Sequence, residues 1–363
     1  MKWSKEKAWA WYDAHSWIRG CNYMSADCAN RIDQWQEYEF EKRFETTKAE
    51  LSLMRALGYN SIRILPELFV WEREHDGFME RLERYISLAA QNGISCMIVL
   101  GNDCCPPYEE AMKRMHLGEQ EVDIGFHGGR KVSQHGRFQG AGYSVLDDPA
   151  GAKAYYAFVE ELVQKYKNDE RILMWDVFNE PGNSHRHSMS LPHLKKFLEI
   201  IRAIDPIQPC TVGIWSQTVN HEDLMEIEKY GLENSDIISY HNYSDYYNNI
   251  QELKLLKRLG RPIINTEWLN RCGGNTVEAL FPLFYLERVG CYNWGFVAGK
   301  YQTFEPWNGI WDGFRENPRE YDTFDFTKWF HDLYRPSHNP YNPRETELIR
   351  YFCDLADRDG EKV

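Results

Sequence analysis

The sequence predicts an α/β fold, a closed (β/α)8 TIM barrel in a single catalytic domain over residues 1–363. Three observations carry this. Short apolar, β-branched runs alternate with amphipathic helical stretches along nearly the whole chain. Eight such pairs can be counted, and strict alternation implies a parallel sheet that eight units can close. No GxGxxG follows the first strand, so the alternative, a six- or seven-stranded doubly wound sheet of the dinucleotide-binding type, gains no support.

Taken in order, SWIRGCNY (16–23) reads as the first strand, and FETTKAELSLMRALG (44–58) as a helix that Gly58 stops. NSIRIL (60–65) is β-branched and strand-like, FMERLERYISLAAQNG (78–93) helical, and ISCMIVL (94–100) a buried strand. A long stretch from 101 to about 148, rich in Gly, His and Asp, reads as irregular, and loops of that length tend to be functional. Next come a helix (150–168), the strand ILMWDVF (172–178), a helix (191–205), the strand PCTVGIW (209–215) and a helix (221–231). The strand DIISYHNY (236–243), a helix (248–260), the strand RPIINTEW (261–268), a helix (276–290) and the strand CYNWGFVAG (291–299) complete the alternation. The tail segments FDFTKWFHDLY (324–334) and RETELIRYFCDLAD (344–357) read as one or two last helices. Long loops are expected after strands 1, 3 and 8.

Composition bounds the function. The chain has 363 residues, 43% hydrophobic and 27% charged, enough for a sizeable core. A net charge of −13 without a long basic run argues against nucleic acid as a partner. The longest apolar runs, such as MIVL, are too short to span a bilayer, so no membrane is expected either. The N-terminus has no continuous apolar stretch and reads as no secretory signal. Nine scattered cysteines, an odd number without a CxxC pair, suit reduced thiols and a cytoplasmic location. Thirteen Trp and 22 Tyr are an aromatic excess, and such flat faces with polar edges stack well on sugar rings. The sequence is silent on oligomeric state.

In a barrel of this kind the active site lies at the C-terminal ends of the strands. Strand 2 carries Arg63, strand 4 ends on Asn179-Glu180, strand 6 on His241-Asn242-Tyr243, strand 7 on Glu267, and strand 8 carries Trp294. A buried strand such as WDVFNEP (175–181) can end on a carboxylate because the barrel mouth is a polar pocket. Two carboxylates three β/α units apart face each other across the axis, and a carboxylate pair flanking the scissile bond is what glycoside hydrolysis requires. One must give a proton and the other must stay ionised, so their surroundings should push the two pKa values apart. A cation such as Arg63 beside a carboxylate favours its charged form.

WDVFNEP and INTEW, with HNY between them, resemble the retaining glycoside hydrolases of clan A, nearest the cellulase-like family five. The resemblance covers nearly the whole chain in strand order. It implies Glu180 as acid/base and Glu267 as nucleophile, with no metal or organic cofactor. It further implies that Asn179 bonds the 2-hydroxyl of the sugar at the cleaved bond, and that Arg63 and Tyr243 hold Glu267 ionised and oriented. His241 would contact Glu180 or the sugar, and Trp294 would form the floor under it. The family usually has a His at or just beyond the end of strand 3. Here Asn102 and Asp103 stand there, with His116, His127 and His135 further along.

Blander readings stand beside these. Arg63 could be a rim ion pair and Trp294 core packing. Asp103, Lys300, Gln302, Trp307 and Trp311 are candidate rim contacts to sugar or plain loop packing. The HRH of 185–187 has the spacing of a metal-binding HxH but lies in a polar loop without fitting partners, and is read as solvated. The expected function is a retaining β-glycosidase acting on small β-linked carbohydrates, exo-acting because the loops after strands 1, 3 and 8 wall in the cleft. An endo-acting β-glycanase of cellulase, mannanase or xylanase type, and a non-catalytic sugar-binding barrel, are the alternatives.

Overall fold

Eight parallel strands close on themselves in sequence order in the computed structural model, which describes residues 1–122, 139–216 and 223–360. They are β1 (Arg19–Asn22), β2 (Ser61–Ile64), β3 (Ser95–Asn102), β4 (Ile172–Asn179), β5 (Cys210–Ile214), β6 (Ile238–His241), β7 (Ile263–Trp268) and β8 (Gly290–Trp294). The (β/α)8 barrel expected from the alternation is the observed fold.

Both faces of these strands are covered, which is why they read as continuous apolar runs rather than alternating ones. Every residue of β4 is buried. Outside, helices pack their apolar stripe on the barrel. In the helix His75–Gln91 the buried Phe78, Leu82, Tyr85, Ile86 and Ala89 fall on one face. The helix Phe40–Leu57 ends at Gly58, whose φ of +95° suits glycine, and a Cβ there would press on Cys353. Inside, Met97, Met174, Ile264 and Tyr292 plug the lower barrel. Ala8 and Tyr12 of the helix Lys5–Asp13 join that cluster. Each fully buried aliphatic side chain of this kind contributes about 1.5–3 kcal/mol.

Strand register turns the upper layer polar. Asn22 pairs with Arg63 on one side and Trp294 on the other. Asn102 pairs with Asn179, Asn179 with Gly213, and His241 with Glu267. These pairings bring polar residues of neighbouring strands side by side toward the C-terminal ends of the strands.

Three local expectations change. The segment 324–334, read as a helix, is irregular because its carbonyls serve another partner. Arg271, buried, donates to the carbonyl oxygens of His331 and Asp332 and pairs with Glu345 at 2.6 Å. Those carbonyls therefore do not enter a helical ladder. The helix Asn308–Glu316 stands in a stretch read as loop, and the long connection after β3 contains the helix Tyr108–Arg114 and a 3-10 turn at Val145–Asp147. His127 and His135 lie outside the described residues.

Candidate active site

Glu180 follows the last residue of β4 and takes a left-handed backbone, φ +45°, uncommon for a residue with a side chain. Its amide donates to the Gly213 carbonyl at 3.0 Å, and Gly182, φ +86°, turns the chain away two residues later. This sharp exit aims the carboxylate into the barrel mouth, and backbone held there costs about 1–3 kcal/mol. Glu267, on β7, faces it. The two carboxylates bring oxygens within 4.8 Å of each other, with His241 Nδ1 inside the same circle. Separations of about 5–5.5 Å belong to retaining glycosidases and about 6.5–9.5 Å to inverting ones, so this spacing is of the retaining kind.

His241 Nδ1 lies 2.7 Å from Glu180 Oε1 and 3.4 Å from Glu267 Oε2. Burial lowers the imidazole to about 4, so the ring is neutral near pH 7. Gly213 makes room for it, since a Cβ there would sit 2.9 Å from Nε2. Among the described residues this trio is the one set of His, Cys, Asp and Glu close enough to share a metal ion. Its atoms are engaged with one another and with Arg63 and Tyr243.

Arg63 is fully buried under the site and ties four strands together. Nη1 donates to Glu267 Oε1 at 2.8 Å and to Asn22 Oδ1 at 2.6 Å, Nε and Nη2 to Asp176 Oδ2 at 2.9 and 2.8 Å, and Nη2 to Asn179 Oδ1 at 2.5 Å. The Tyr243 hydroxyl donates to Glu267 Oε2 at 2.8 Å. Both oxygens of Glu267 are thus held. Its carboxyl is nevertheless raised above the ordinary value, because burial outweighs the Arg63 guanidinium and the Tyr243 hydrogen bond. The two partners expected to hold Glu267 are thus in place, and burial works against them.

The structure places the other expected residues as follows. Asn179 accepts from Arg63, and its Nδ2 donates to Asn102 Oδ1 at 2.8 Å. Trp294, half-buried, lines a small cavity beside Asn22, Tyr23 and Tyr301. Asp103 is not brought to the mouth. It is fully buried and accepts from the Gly182 amide, Arg186 Nε and Ser190 Oγ at 2.7, 2.9 and 2.6 Å, which pins the loop after β4. Lys300 is anchored by its amide to Ala26 O, and Gln302 Nε2 donates to Val122 O at 2.9 Å, so Gln302 ties the loop after β8 to the one after β3. Trp307 packs edge-on against Tyr243 with ring centres 5.0 Å apart, and Trp311 stacks on Phe326. In the HRH run His185 and His187 are exposed, while Arg186 is buried against Asp103 and Asp147.

Several neighbours of the pair escaped sequence reading. Asp176 and Asn22 brace Arg63 from below, and Cys104 and Asn183 crowd the Glu180 side beside Asn102, which the sequence placed at the end of strand 3 without a role. The one signal for Asp176 was its place in WDVFNEP, four residues before Glu180 and on the same buried strand. Nothing local marked Cys104 or Asn183, whose positions depend on loops.

The chain resembles known proteins at two levels. The structure superposes on the endo-β-1,4-mannanase from Thermotoga petrophila with a TM-score of 0.58, 16% identity, and 96% of this chain and 78% of that one covered. It superposes on the exo-β-1,4-mannosidase Op5Man5 from Opitutaceae bacterium strain TAV5 with a TM-score of 0.55, 14% identity, and 95% and 60% covered. At such identities the likeness speaks to the fold. In sequence, β-glucuronidase from Pongo abelii is 27% identical over 144 residues, 36% of this chain but only 20% of that protein. The chain thus matches about a fifth of that relative's length. Residues 22–286 match the sequence profile of Cellulase (glycosyl hydrolase family 5), a stretch that runs from the last residue of β1 to the end of the helix before β8 and includes both facing carboxylates. The chain therefore belongs to glycosyl hydrolase family 5.

Proposed function

We propose that this enzyme is an exo-acting β-glycosidase that trims short β-linked oligosaccharides, with Glu267 as nucleophile and Glu180 as acid/base. In the first step Glu267 attacks the anomeric carbon while Glu180 protonates the leaving oxygen, giving a glycosyl-enzyme ester. In the second, Glu180 takes a proton from water, which attacks the same carbon and releases the sugar with net retention. Arg63 and Tyr243 hold the nucleophile's two oxygens, His241 orients Glu180, Asn179 meets the 2-hydroxyl, and Trp294 lies under the ring.

The observation that carries the exo reading is depth. Glu180 and Glu267 are 6% and 3% exposed, and the Gln302–Val122 tie joins the loops after β8 and β3. A deep, walled site suits a chain end better than the middle of a polymer. The mannanase and mannosidase neighbours make a β-mannoside the first sugar to try. Nine free thiols, all buried, support a reducing compartment such as the cytoplasm.

The test is product analysis on a β-1,4-linked mannopentaose, alongside nitrophenyl β-glycosides of mannose, glucose, galactose, xylose and glucuronic acid. Early release of monosaccharide and tetraose alone is expected. Early accumulation of di- and trisaccharides would replace the exo reading with the endo one.

A further inference from the structure

The loop leaving β3 lays a thiol on the Glu180 carboxylate. Asn102 fixes the approach by a two-way clamp, its Oδ1 accepting from the Cys104 amide at 3.0 Å and its Nδ2 donating to the Cys104 carbonyl at 3.1 Å. Cys104 Sγ then lies 2.8 Å from Glu180 Oε2. The sulfur accepts in turn from Nδ2 of Asn183 at 3.5 Å and Nδ2 of Asn179 at 3.6 Å. Asn183 also donates to the same carboxylate oxygen. Glu180 is therefore held from two sides, by His241 on Oε1 and by Cys104 with Asn183 on Oε2. Cys105, next in sequence, takes no part, its thiol donating to Asn102 O.

We propose that Cys104 is a positioning residue for Glu180: its S–H donates to Oε2, fixes the carboxylate's rotamer and favours its ionised form. The inference rests on the reading of Glu180 as acid/base. Burial and the neighbouring Glu180 charge push the thiol well above its ordinary value, so it keeps its proton and remains a donor throughout the working range. A thiol is a weak donor in general, but a charged acceptor in a water-poor pocket strengthens the bond. In the first catalytic step Glu180 must be protonated. A donor that favours its ionised form sets how early, on raising the pH, the acid is lost. In the second step the same donor keeps the carboxylate ready to accept a proton from water.

The experiment compares the wild type with Cys104→Ala and Cys104→Ser. Removing one such hydrogen bond should move the alkaline limb of kcat/KM for an alkyl glycoside upward by about half a unit to one unit of pH. Serine, which keeps a hydroxyl donor, should bring the limb back toward the wild-type position. A dinitrophenyl glycoside, whose departure needs no proton, should show no such movement. The same shift should appear without any turnover, in a titration of the 13C-labelled Glu180 carboxyl by NMR, assigned by its loss in Glu180→Gln. An unmoved carboxyl titration in Cys104→Ala, or identical behaviour of the Ala and Ser variants, would overturn the role of Cys104. Loss of all glycoside hydrolysis in the wild type would instead strike the catalytic reading, and the NMR titration would still judge the contact.

Discussion

Arg63 donates from Nη1 to Glu267 Oε1 at 2.8 Å, the guanidinium fully buried and the carboxylate side chain only 4% exposed. The guanidinium can serve Glu267, Asp176, Asn22 and Asn179 together because its five donors form a rigid fork. A lysine ammonium is a point charge and cannot reach all four. Arg63→Lys should therefore lower kcat/KM by about 100-fold or more, the scale expected when a catalytic group is displaced by about an ångström. Arg63→Ala leaves two buried carboxylates uncompensated and should destabilise the fold by about 3–5 kcal/mol in denaturant melts. Unchanged stability in the alanine variant would argue that water replaces the guanidinium.

The two carboxylates should fail differently. Glu267→Ala should abolish turnover of every glycoside. Glu180→Ala should spare the first step for a dinitrophenyl leaving group and stall on the ester, and added azide should release a β-glycosyl azide. Rescue yielding the α-azide would mean the carboxylates have exchanged roles.

Most of this pair's surroundings were legible in the sequence because strand ends are a regular address. Once eight strands are counted, Arg63, Glu180, His241, Tyr243 and Glu267 fall on one rim, and register does the rest through pairs such as His241 with Glu267. What could not be read depends on loop path. Asp103 looks like a strand-end residue yet turns under the loop after β4 to meet Arg186, while its neighbour Cys104 turns inward to Glu180. A one-residue difference in where β3 ends decides which of the two faces the mouth. The segment 324–334 was misread for a similar reason, since the pull of Arg271 on its carbonyls comes from a residue more than fifty positions away.

Gly213 stands where β5 passes the His241 ring, and a Cβ would come within 2.9 Å of Nε2. Gly213→Ala should push the ring off Glu180 Oε1 and lower kcat by about 10- to 100-fold, while stability falls by about 1–3 kcal/mol from overpacking. Steady-state kinetics and a thermal melt on one preparation separate the two effects. Full activity with intact stability would show that His241 does not orient Glu180.

The acid side of the pH profile should report Glu267. A nucleophile must be ionised, and burial raises this carboxyl. As pH falls through that raised value the nucleophile protonates and the rate falls, so the acid limb of kcat/KM should lie above the usual carboxylate range of about 4–4.5. Tyr243→Phe removes a hydrogen bond to the charged form and should move the limb higher still. An acid limb at or below the ordinary carboxylate range in the wild type would contradict the balance between burial and pairing described here.

Outside the carboxylate pair, Glu50 is buried in the helix Phe40–Leu57 and accepts from the Tyr23 hydroxyl at 2.7 Å and the Ala26 amide at 3.2 Å. No cation pairs with it among the described residues, and burial raises its carboxyl to about 8. Below the unfolded-state value of about 4.5 the group is protonated in both states, and its contribution to stability is complete. As pH rises, the unfolded chain releases the proton first, and the contribution is lost progressively until pH passes about 8. Glu252, raised to about 8, and Asp332, raised to about 7, act in the same direction. The protein should therefore be less stable to denaturant at pH 8 than at pH 5. Glu50→Gln, which keeps the shape and an acceptor but cannot ionise, should narrow that difference, by an amount on the order of a few kcal/mol. An equal pH dependence in wild type and variant would mean that Glu50 is ionised in the folded protein, with its charge met by water the fold admits.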